Sequence, residues 1–264
     1  GGRSAAMPTL DVTIIQPDLH WHDVGKNIAK FDQTIRSIES KTDLVILPEM
    51  FTTGFSMDAP QLAEPSDGPA VRWMKETSIS IDASICGSLI INEEDKFYNR
   101  FICAMPDGRE IIYDKRHLFR LANEQNHYTQ GHSQVTFELN GFRICPLVCY
   151  DLRFPVWSRN QNHYDLLIYV ANWPNRRHHA WQTLLRARAI ENLAYVAGVN
   201  RVGIDGNDIQ HDGGSALIDY LGQDILDLGD QPKFASSKLE LDKLKSFRKH
   251  FAFDKDSDKF KILK

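Results

Sequence analysis

The chain lacks long apolar runs, metal-binding cysteine pairs and any strong excess of charge. No apolar run approaches the roughly 18 residues of a transmembrane helix, so the sequence predicts no membrane span. A formal net charge of -4 over 264 residues gives no reason to expect a nucleic-acid or membrane partner. The four cysteines include no C-x-x-C pair, which argues against a zinc site. Without secretory or disulfide signals, the protein is predicted to be cytoplasmic, with reduced thiols.

Residues 1–6 stand apart from the rest of the chain. The stretch Gly-Gly-Arg-Ser-Ala-Ala has no apolar core and does not fit a signal peptide. We interpret it as a remnant of expression cloning ahead of a natural start at Met7. No segment rich in glycine, proline or serine divides the remaining residues, and their number suits one hydrophobic core. We therefore expect a single domain over residues 7–264.

Apolar periodicity predicts alternating strands and helices. The order is strand, helix, strand, helix and an antiparallel meander, and the second half of the chain largely repeats it. The predicted strands are 11–16, 43–47, 84–91, 97–104, 110–114, 142–148, 165–171, 194–201, 215–219, 224–227 and 233–241. The predicted helices are 24–40, 69–78, 181–193 and 242–250. This pattern favours an α/β fold in which two stacked sheets are covered by helices.

Three reactive side chains directly follow apolar stretches of the sequence. They are Glu49, Lys115 and Cys149, each placed where a predicted strand ends. The carboxyl ends of strands are where α/β proteins gather their chemistry, so we expect the three to converge at one rim. A thiol becomes a strong nucleophile when a base or a positive field helps it lose its proton. A poorly solvated Glu49 suits the base, and Lys115 suits stabilisation of an oxyanion.

A cysteine–histidine hydrolase is the alternative that uses the same thiol. The chain has ten histidines, and the nearest candidates are His117, His178 and His179. None follows a predicted strand in the way that the glutamate and the lysine do. The sequence therefore favours a site without histidine.

The three segments that carry these side chains resemble the catalytic boxes of the nitrilase superfamily. They read Leu47-Pro-Glu-Met-Phe51, Tyr113-Asp-Lys-Arg-His-Leu-Phe119 and Val148-Cys-Tyr-Asp-Leu-Arg-Phe-Pro155. The resemblance extends over about residues 10–253. It implies a four-layer αββα sandwich and a Glu-Lys-Cys catalytic triad.

Longer stretches narrow the resemblance to the ω-amidase branch of that superfamily. They cover residues 149–160, 169–174 and 186–203. The resemblance implies hydrolysis of the terminal amide of α-ketoglutaramate and α-ketosuccinamate, with release of ammonia and without a metal or organic cofactor. The alternatives are an N-carbamoyl or other aliphatic amide hydrolase of the same superfamily and a non-catalytic interaction module. The intact triad argues against the module.

Further residues are expected to support the reaction. Glu124 matches a fourth polar residue of the family and is expected to hold Lys115 or the substrate amide, unless it is a loop carboxylate without a role. The backbone N–H of Tyr150 is expected to bind the oxyanion.

Arginines near the predicted site are candidates for the substrate carboxylate, which a guanidinium binds through two hydrogen bonds. Arg153, Arg176 and Arg177 lie in adjoining segments, and Trp173 is expected to form a wall of the pocket. The alternatives are a structural ion pair for Arg153 and solvated loop charges for the other two.

An apolar stripe on the helix from Trp181 suggests an oligomer. Trp181, Leu184, Leu185 and Arg188 share one face, and Glu191 can pair with the arginine. The family resemblance implies pairing of subunits through this region, so we expect a homodimer or a higher homo-oligomer. The only other partner expected is the small-molecule amide substrate.

Overall fold

A computed structural model describes residues 7–263. The interpretation of residues 1–6 and the last position, Lys264, lie outside this range. The strands are β1 (Thr9–Gln16), β2 (Leu44–Ile46), β3 (Ser84–Glu93), β4 (Lys96–Ala104), β5 (Glu110–Asp114), β6 (Phe137–Leu139), β7 (Phe142–Val148), β8 (Leu166–Val170), β9 (Tyr195–Val199), β10 (Val202–Ile204), β11 (Gln210–Asp212), β12 (Ala216–Ile218), β13 (Asp224–Asp227) and β14 (Lys233–Glu240). The helices are α1 (Val24–Arg36), α2 (Ala59–Leu62), α3 (Pro69–Ile81), α4 (Pro155–Ser158), α5 (His178–Asn192) and α6 (Leu241–His250). None of these helices combines the length and apolar character that crossing a bilayer requires.

The strands form two six-stranded sheets with matching topology. The first sheet has the order β14-β1-β2-β3-β4-β5. The second sheet, written in the matching direction, has the order β6-β7-β8-β9-β12-β13. Strands β1, β2 and β3 are parallel, as are β7, β8 and β9. Strands β3, β4 and β5 form the antiparallel meander predicted from their short connections. The predicted repetition of the two halves is therefore confirmed.

Alternating side chains of β2 show how the layers stack. Leu44 and Ile46 belong to the core shared with the second sheet, whereas Val45 packs with Phe31 of α1 and Met74 of α3. Successive residues of a strand face opposite sides, so a sheet covered on both faces requires this continuous apolar run. Each fully buried Leu or Ile side chain contributes about 1.5–3 kcal/mol to folding.

Helix α5 covers the outer face of the second sheet. Its Leu185 lies so close to Gly198 of β9 that a Cβ on the glycine would meet the leucine methyl groups. The layers are therefore helix, sheet, sheet and helix, and the predicted αββα sandwich is confirmed.

The prediction for α1 was too long at its carboxyl end. The helix stops at Arg36, four residues before the predicted Ser40. The hydroxyl of Ser37 donates to the carbonyl of Thr34 at 2.6 Å, and such a local bond competes with continuation of the helix. Shorter elements were missed altogether, namely β6, α2, α4 and the β10–β11 hairpin.

The apolar stripe of α5 faces the protein's own core. Trp181 and Leu185 are fully buried against the second sheet. Arg188 pairs with Glu191 at 3.1 Å, as predicted, and also donates to the carbonyl of Leu152 at 2.6 Å. The stripe is thus covered within one chain, and its burial does not require a second subunit.

Candidate active site

The structure brings the three reactive side chains together where the strands end. Lys115 Nζ lies 3.0 Å from Glu49 Oε2, and both side chains are fully buried. The Cys149 thiol neighbours the same carboxylate, and the Glu49 charge raises the pKa of the thiol. The backbone N–H of Asn172, which follows β8, donates to Glu49 Oε1 at 3.1 Å. Segments from both sheets therefore meet at this cluster.

Glu124 adds a second carboxylate on the other side of the lysine. Its Oε1 lies 2.8 Å from Lys115 Nζ and also accepts the backbone N–H of Phe119 at 2.7 Å. Asn99 joins the two acids, because its Nδ2 donates to Glu49 at 2.7 Å and to Glu124 at 3.1 Å. The sequence analysis missed Asn99. The signal was a lone amide side chain within the largely apolar strand β4.

Burial and neighbouring charges set the protonation of the cluster. Burial raises the pKa of Glu49 and Glu124 raises it further, while Lys115 opposes the change. Burial alone would lower the pKa of Lys115, but Glu124 and Glu49 outweigh it and the pKa is raised. Burial and the Glu49 charge raise the pKa of the Cys149 thiol. These shifts favour a charged ammonium on Lys115 and a protonated thiol on Cys149 in the resting site.

Cys149 occupies a strained backbone position. Its φ of 44° lies in the left-handed region, which costs a non-glycine residue about 1–2 kcal/mol. The strain is held by Asp151, whose Oδ2 accepts the N–H of Val148 at 3.0 Å and the hydroxyl of Tyr113 at 2.7 Å. His117 contributes a further contact, with Nδ1 at 2.7 Å from Asp151 Oδ1. Asp151, which the sequence analysis did not single out, thus fixes the turn that presents the thiol.

The thiol opens into a cavity of about 800 Å³. Tyr150, Arg153, Trp173, Arg176 and Arg177 line it, as do Lys115 and Cys149 themselves. Glu49 and Glu124 lie behind this surface in full burial. The predicted supporting residues are thus placed around one chamber, with the two carboxylates beneath it.

The histidines do not lie where a cysteine–histidine hydrolase would need them. His117, His178 and His179 are absent from the cavity wall that includes Cys149. His22 and His211 do line the cavity, but His22 bonds to the hydroxyl of Ser56 and His211 to the carbonyl of Gly203. No histidine bond to the thiol is present in the described part of the chain, residues 7–263.

The arginines of the cavity wall lack acidic partners. Across residues 7–263, Arg153, Arg176 and Arg177 form no ion pair. The structural ion pair considered for Arg153 is therefore not formed. Its guanidinium instead lies 5.3 Å from the ring centre of Trp173.

No group of three or more His, Cys, Asp or Glu side chains within residues 7–263 is arranged to hold a metal ion. The four cysteines, Cys86, Cys103, Cys145 and Cys149, are all free thiols.

The chain belongs to the carbon-nitrogen hydrolase family, whose model matches residues 11–249. Three similar proteins match this chain over most or all of their length. Omega-amidase YafV of Yersinia enterocolitica is 47% identical over 97% of this chain and 100% of that protein. The Omega-amidase YafV of Escherichia coli K12 is 45% identical over the same shares. A 2-oxoglutaramate amidase of Bacillus subtilis is 32% identical, over 87% of this chain and 90% of that protein.

A solved structure extends the comparison to three dimensions. It is a CN-hydrolase superfamily protein of Xanthomonas campestris with an arsenic adduct in its active site. It superposes with a TM-score of 0.95 at 42% identity, over 97% of this chain and 100% of that one. The predicted membership of the nitrilase superfamily is confirmed.

Proposed function

We propose that this protein is an ω-amidase that hydrolyses the terminal amide of 2-oxo acid amides, such as α-ketoglutaramate and α-ketosuccinamate. The observation that carries the proposal is the cluster of Glu49, Lys115 and Cys149 beneath a cavity large enough for such a molecule. The full-length similarity to proteins named omega-amidase supports the substrate class.

The first half of the proposed reaction forms a thioester. Glu49 accepts the thiol proton while the Cys149 sulfur bonds to the amide carbon, and the carbonyl electron pair moves onto oxygen. Lys115 and the backbone N–H of Tyr150 stabilise this oxyanion. Glu49 then gives its proton to the amide nitrogen, the C–N bond breaks and ammonia leaves. The raised pKa of Glu49 suits a group that must accept and return a proton near neutral pH.

The second half releases the acid. A water molecule loses a proton to Glu49 as its oxygen attacks the thioester carbon. The C–S bond breaks, the sulfur recovers the proton and the 2-oxo dicarboxylic acid leaves. Glu124 holds Lys115 in place throughout, through the 2.8 Å ion pair.

Replacement of the nucleophile tests the scheme. Cys149→Ala should abolish ammonia release, and mass spectrometry of quenched wild type should show an acyl adduct on the peptide that contains Cys149. Cys145→Ala is a matched control, because Cys145 is a buried thiol of the preceding strand that does not line the cavity. Full turnover by Cys149→Ala would refute the proposed mechanism.

A substrate panel separates the proposal from its alternatives. Ammonia release should be fastest from α-ketoglutaramate, compared with glutamine, a carbamoyl amino acid and a nitrile. Preference for the carbamoyl compound would instead identify an N-carbamoyl hydrolase, and no turnover of any member would favour the interaction module.

We also propose that the protein is a cytoplasmic homodimer or higher homo-oligomer. Exposed apolar side chains support the assembly, since Ile190 and Leu221 are 54% and 51% exposed. The four free thiols agree with a reducing compartment. Light scattering that reports a monomer would refute the assembly, and recovery of the protein from an oxidising compartment would refute the location.

A further inference from the structure

Two of the cavity arginines are held in place by aromatic rings. The guanidinium of Arg177 lies 5.2 Å from the ring centre of Phe119, and that of Arg153 lies 5.3 Å from the ring centre of Trp173. All four side chains line the cavity with Cys149. A guanidinium that stacks on a ring keeps its hydrogen-bonding edge free for a ligand. The two arginines are thus ordered without an acid of the protein.

The charges around Arg177 are almost all of its own sign. Burial lowers the pKa of Arg177, and the neighbouring Arg176 and Arg153 lower it further. Among the ionisable groups that act on the pKa of Arg177, Cys149 alone works in the opposite direction. Positive charges held close together in a partly buried site repel one another, and a bound anion offsets this repulsion. A negative group of a ligand is therefore favoured at this wall.

Acidic residues of the cavity do not supply this negative charge. Asp205 is committed to the β10–β11 turn, where its Oδ1 accepts the N–H of Asn207 at 2.8 Å and that of Ile209 at 3.1 Å. Asp58 also lines the cavity, but it is not among the charges that act on Arg177.

We propose that Arg177 and Arg153 bind the carboxylate at the far end of the substrate while its amide carbon lies at Cys149. This inference rests on the proposed amidase function and identifies the residues that select the substrate. A carboxylate receives charge-assisted hydrogen bonds from both guanidinium groups. An ammonium group beside that carboxylate is repelled by the same wall, whereas an oxo group can accept a further N–H. The site therefore selects ω-amides of 2-oxo acids or unsubstituted acids over glutamine.

Substrates that differ by one group test this selection. Glutaramate has the carboxylate without an oxo group, pentanamide lacks the carboxylate, and glutamine adds the ammonium. Arg177→Ala should lower kcat/KM for glutaramate and 2-oxoglutaramate roughly 10- to 100-fold and leave that for pentanamide unchanged. In the wild type, kcat/KM for glutamine should be lower than kcat/KM for glutaramate. This difference should become smaller in Arg177→Ala and in Arg153→Ala. Arg177→Lys, which keeps the charge, should recover part of the loss.

Arg120→Ala is the matched control for charge. Arg120 is exposed between Phe119 and Leu121, which both line the cavity, but it does not line the cavity itself. An equal loss in Arg120→Ala would overturn the inference in favour of a general effect of charge. An equal loss on pentanamide in Arg177→Ala would also overturn it, since that result identifies a structural role.

A binding measurement keeps the inference separate from the proposed function. Glutarate should protect Cys149 of the wild type from alkylation by iodoacetamide, and Arg177→Ala should abolish the protection. If the wild type fails to hydrolyse 2-oxoglutaramate but glutarate protects it in this way, the proposed function fails and the carboxylate site stands. Absence of protection in the wild type would overturn the carboxylate site itself.

Discussion

Replacement of Lys115 by methionine tests the electrostatics of the buried cluster. The ammonium lies 3.0 Å from Glu49 and 2.8 Å from Glu124, and all three side chains are fully buried. Methionine fills much of the same volume without charge, so Lys115→Met leaves two carboxylates with no cation. Breaking a buried ion pair by removal of one partner costs about 3–5 kcal/mol. We expect the free energy of unfolding to fall by that amount at pH 8.

The loss should depend on pH in a defined direction. Without the cation, the raised pKa of Glu49 rises further, so in the folded variant the carboxyl holds a proton that the unfolded chain releases above the ordinary value of 4.5. Stability of the variant therefore decreases as pH rises from 4.5, and the loss is smaller at pH 5 than at pH 8. In the wild type, the raised pKa of Lys115 contributes stability fully below 10.5, and this contribution is lost at higher pH.

Urea unfolding followed by circular dichroism at both pH values measures the effect. Lys75→Met is the matched control, because Lys75 forms a 2.7 Å ion pair with Glu110 at the surface and is 44% exposed. Such a pair contributes about 0–1 kcal/mol. An equal loss for Lys115→Met at pH 5 and pH 8, or a loss no larger than that of the control, would refute the reasoning.

Two further predictions concern stability. Burial and Arg201 lower the pKa of His211 from 6.5 to about 4, so the unfolded chain alone takes up this proton in that window. Between pH 6.5 and pH 4, the free energy of unfolding of the wild type should fall by up to about 3 kcal/mol more than that of His211→Gln, as measured by urea unfolding. The same pH dependence in both proteins would contradict this. A Cβ at Gly131 would overlap the carbonyl oxygen of Asp114, next to Lys115. Gly131→Ala should therefore lower the melting temperature and kcat, whereas Gly108→Ala, which faces open space, should lower only stability, by about 1–2 kcal/mol. Wild-type kcat in Gly131→Ala would contradict the expected displacement.

The strand ends that carry the site were predictable because parallel strands inside a sandwich must be apolar on both faces. A polar residue after such a run marks the edge of the sheet, and this rule located the positions of Glu49 and Cys149. Strand β7 has the predicted bounds, Phe142–Val148, because both of its faces are covered. The rule fails where polarity and burial coincide within a strand. Asn99 is 1% exposed, and its contact with two acids depends on register, which periodicity does not give.

The face of α5 shows a different limit of sequence reasoning. A helical stripe reveals that Trp181 and Leu185 are buried, but it does not reveal what covers them. The same pattern serves a sheet of the same chain or a second subunit. Only the tertiary structure distinguishes them, since it places Gly198 directly beneath the leucine.

Asp151 has a consequence for how the protein tolerates motion. It follows a strand of the second sheet, yet it accepts bonds from Tyr113 of the first sheet and from His117 just beyond it. The segment with the ammonium and the turn with the thiol are thus fastened to one carboxylate. A displacement of one sheet against the other would therefore have to break a hydrogen bond to Asp151 before it could separate Lys115 from Cys149.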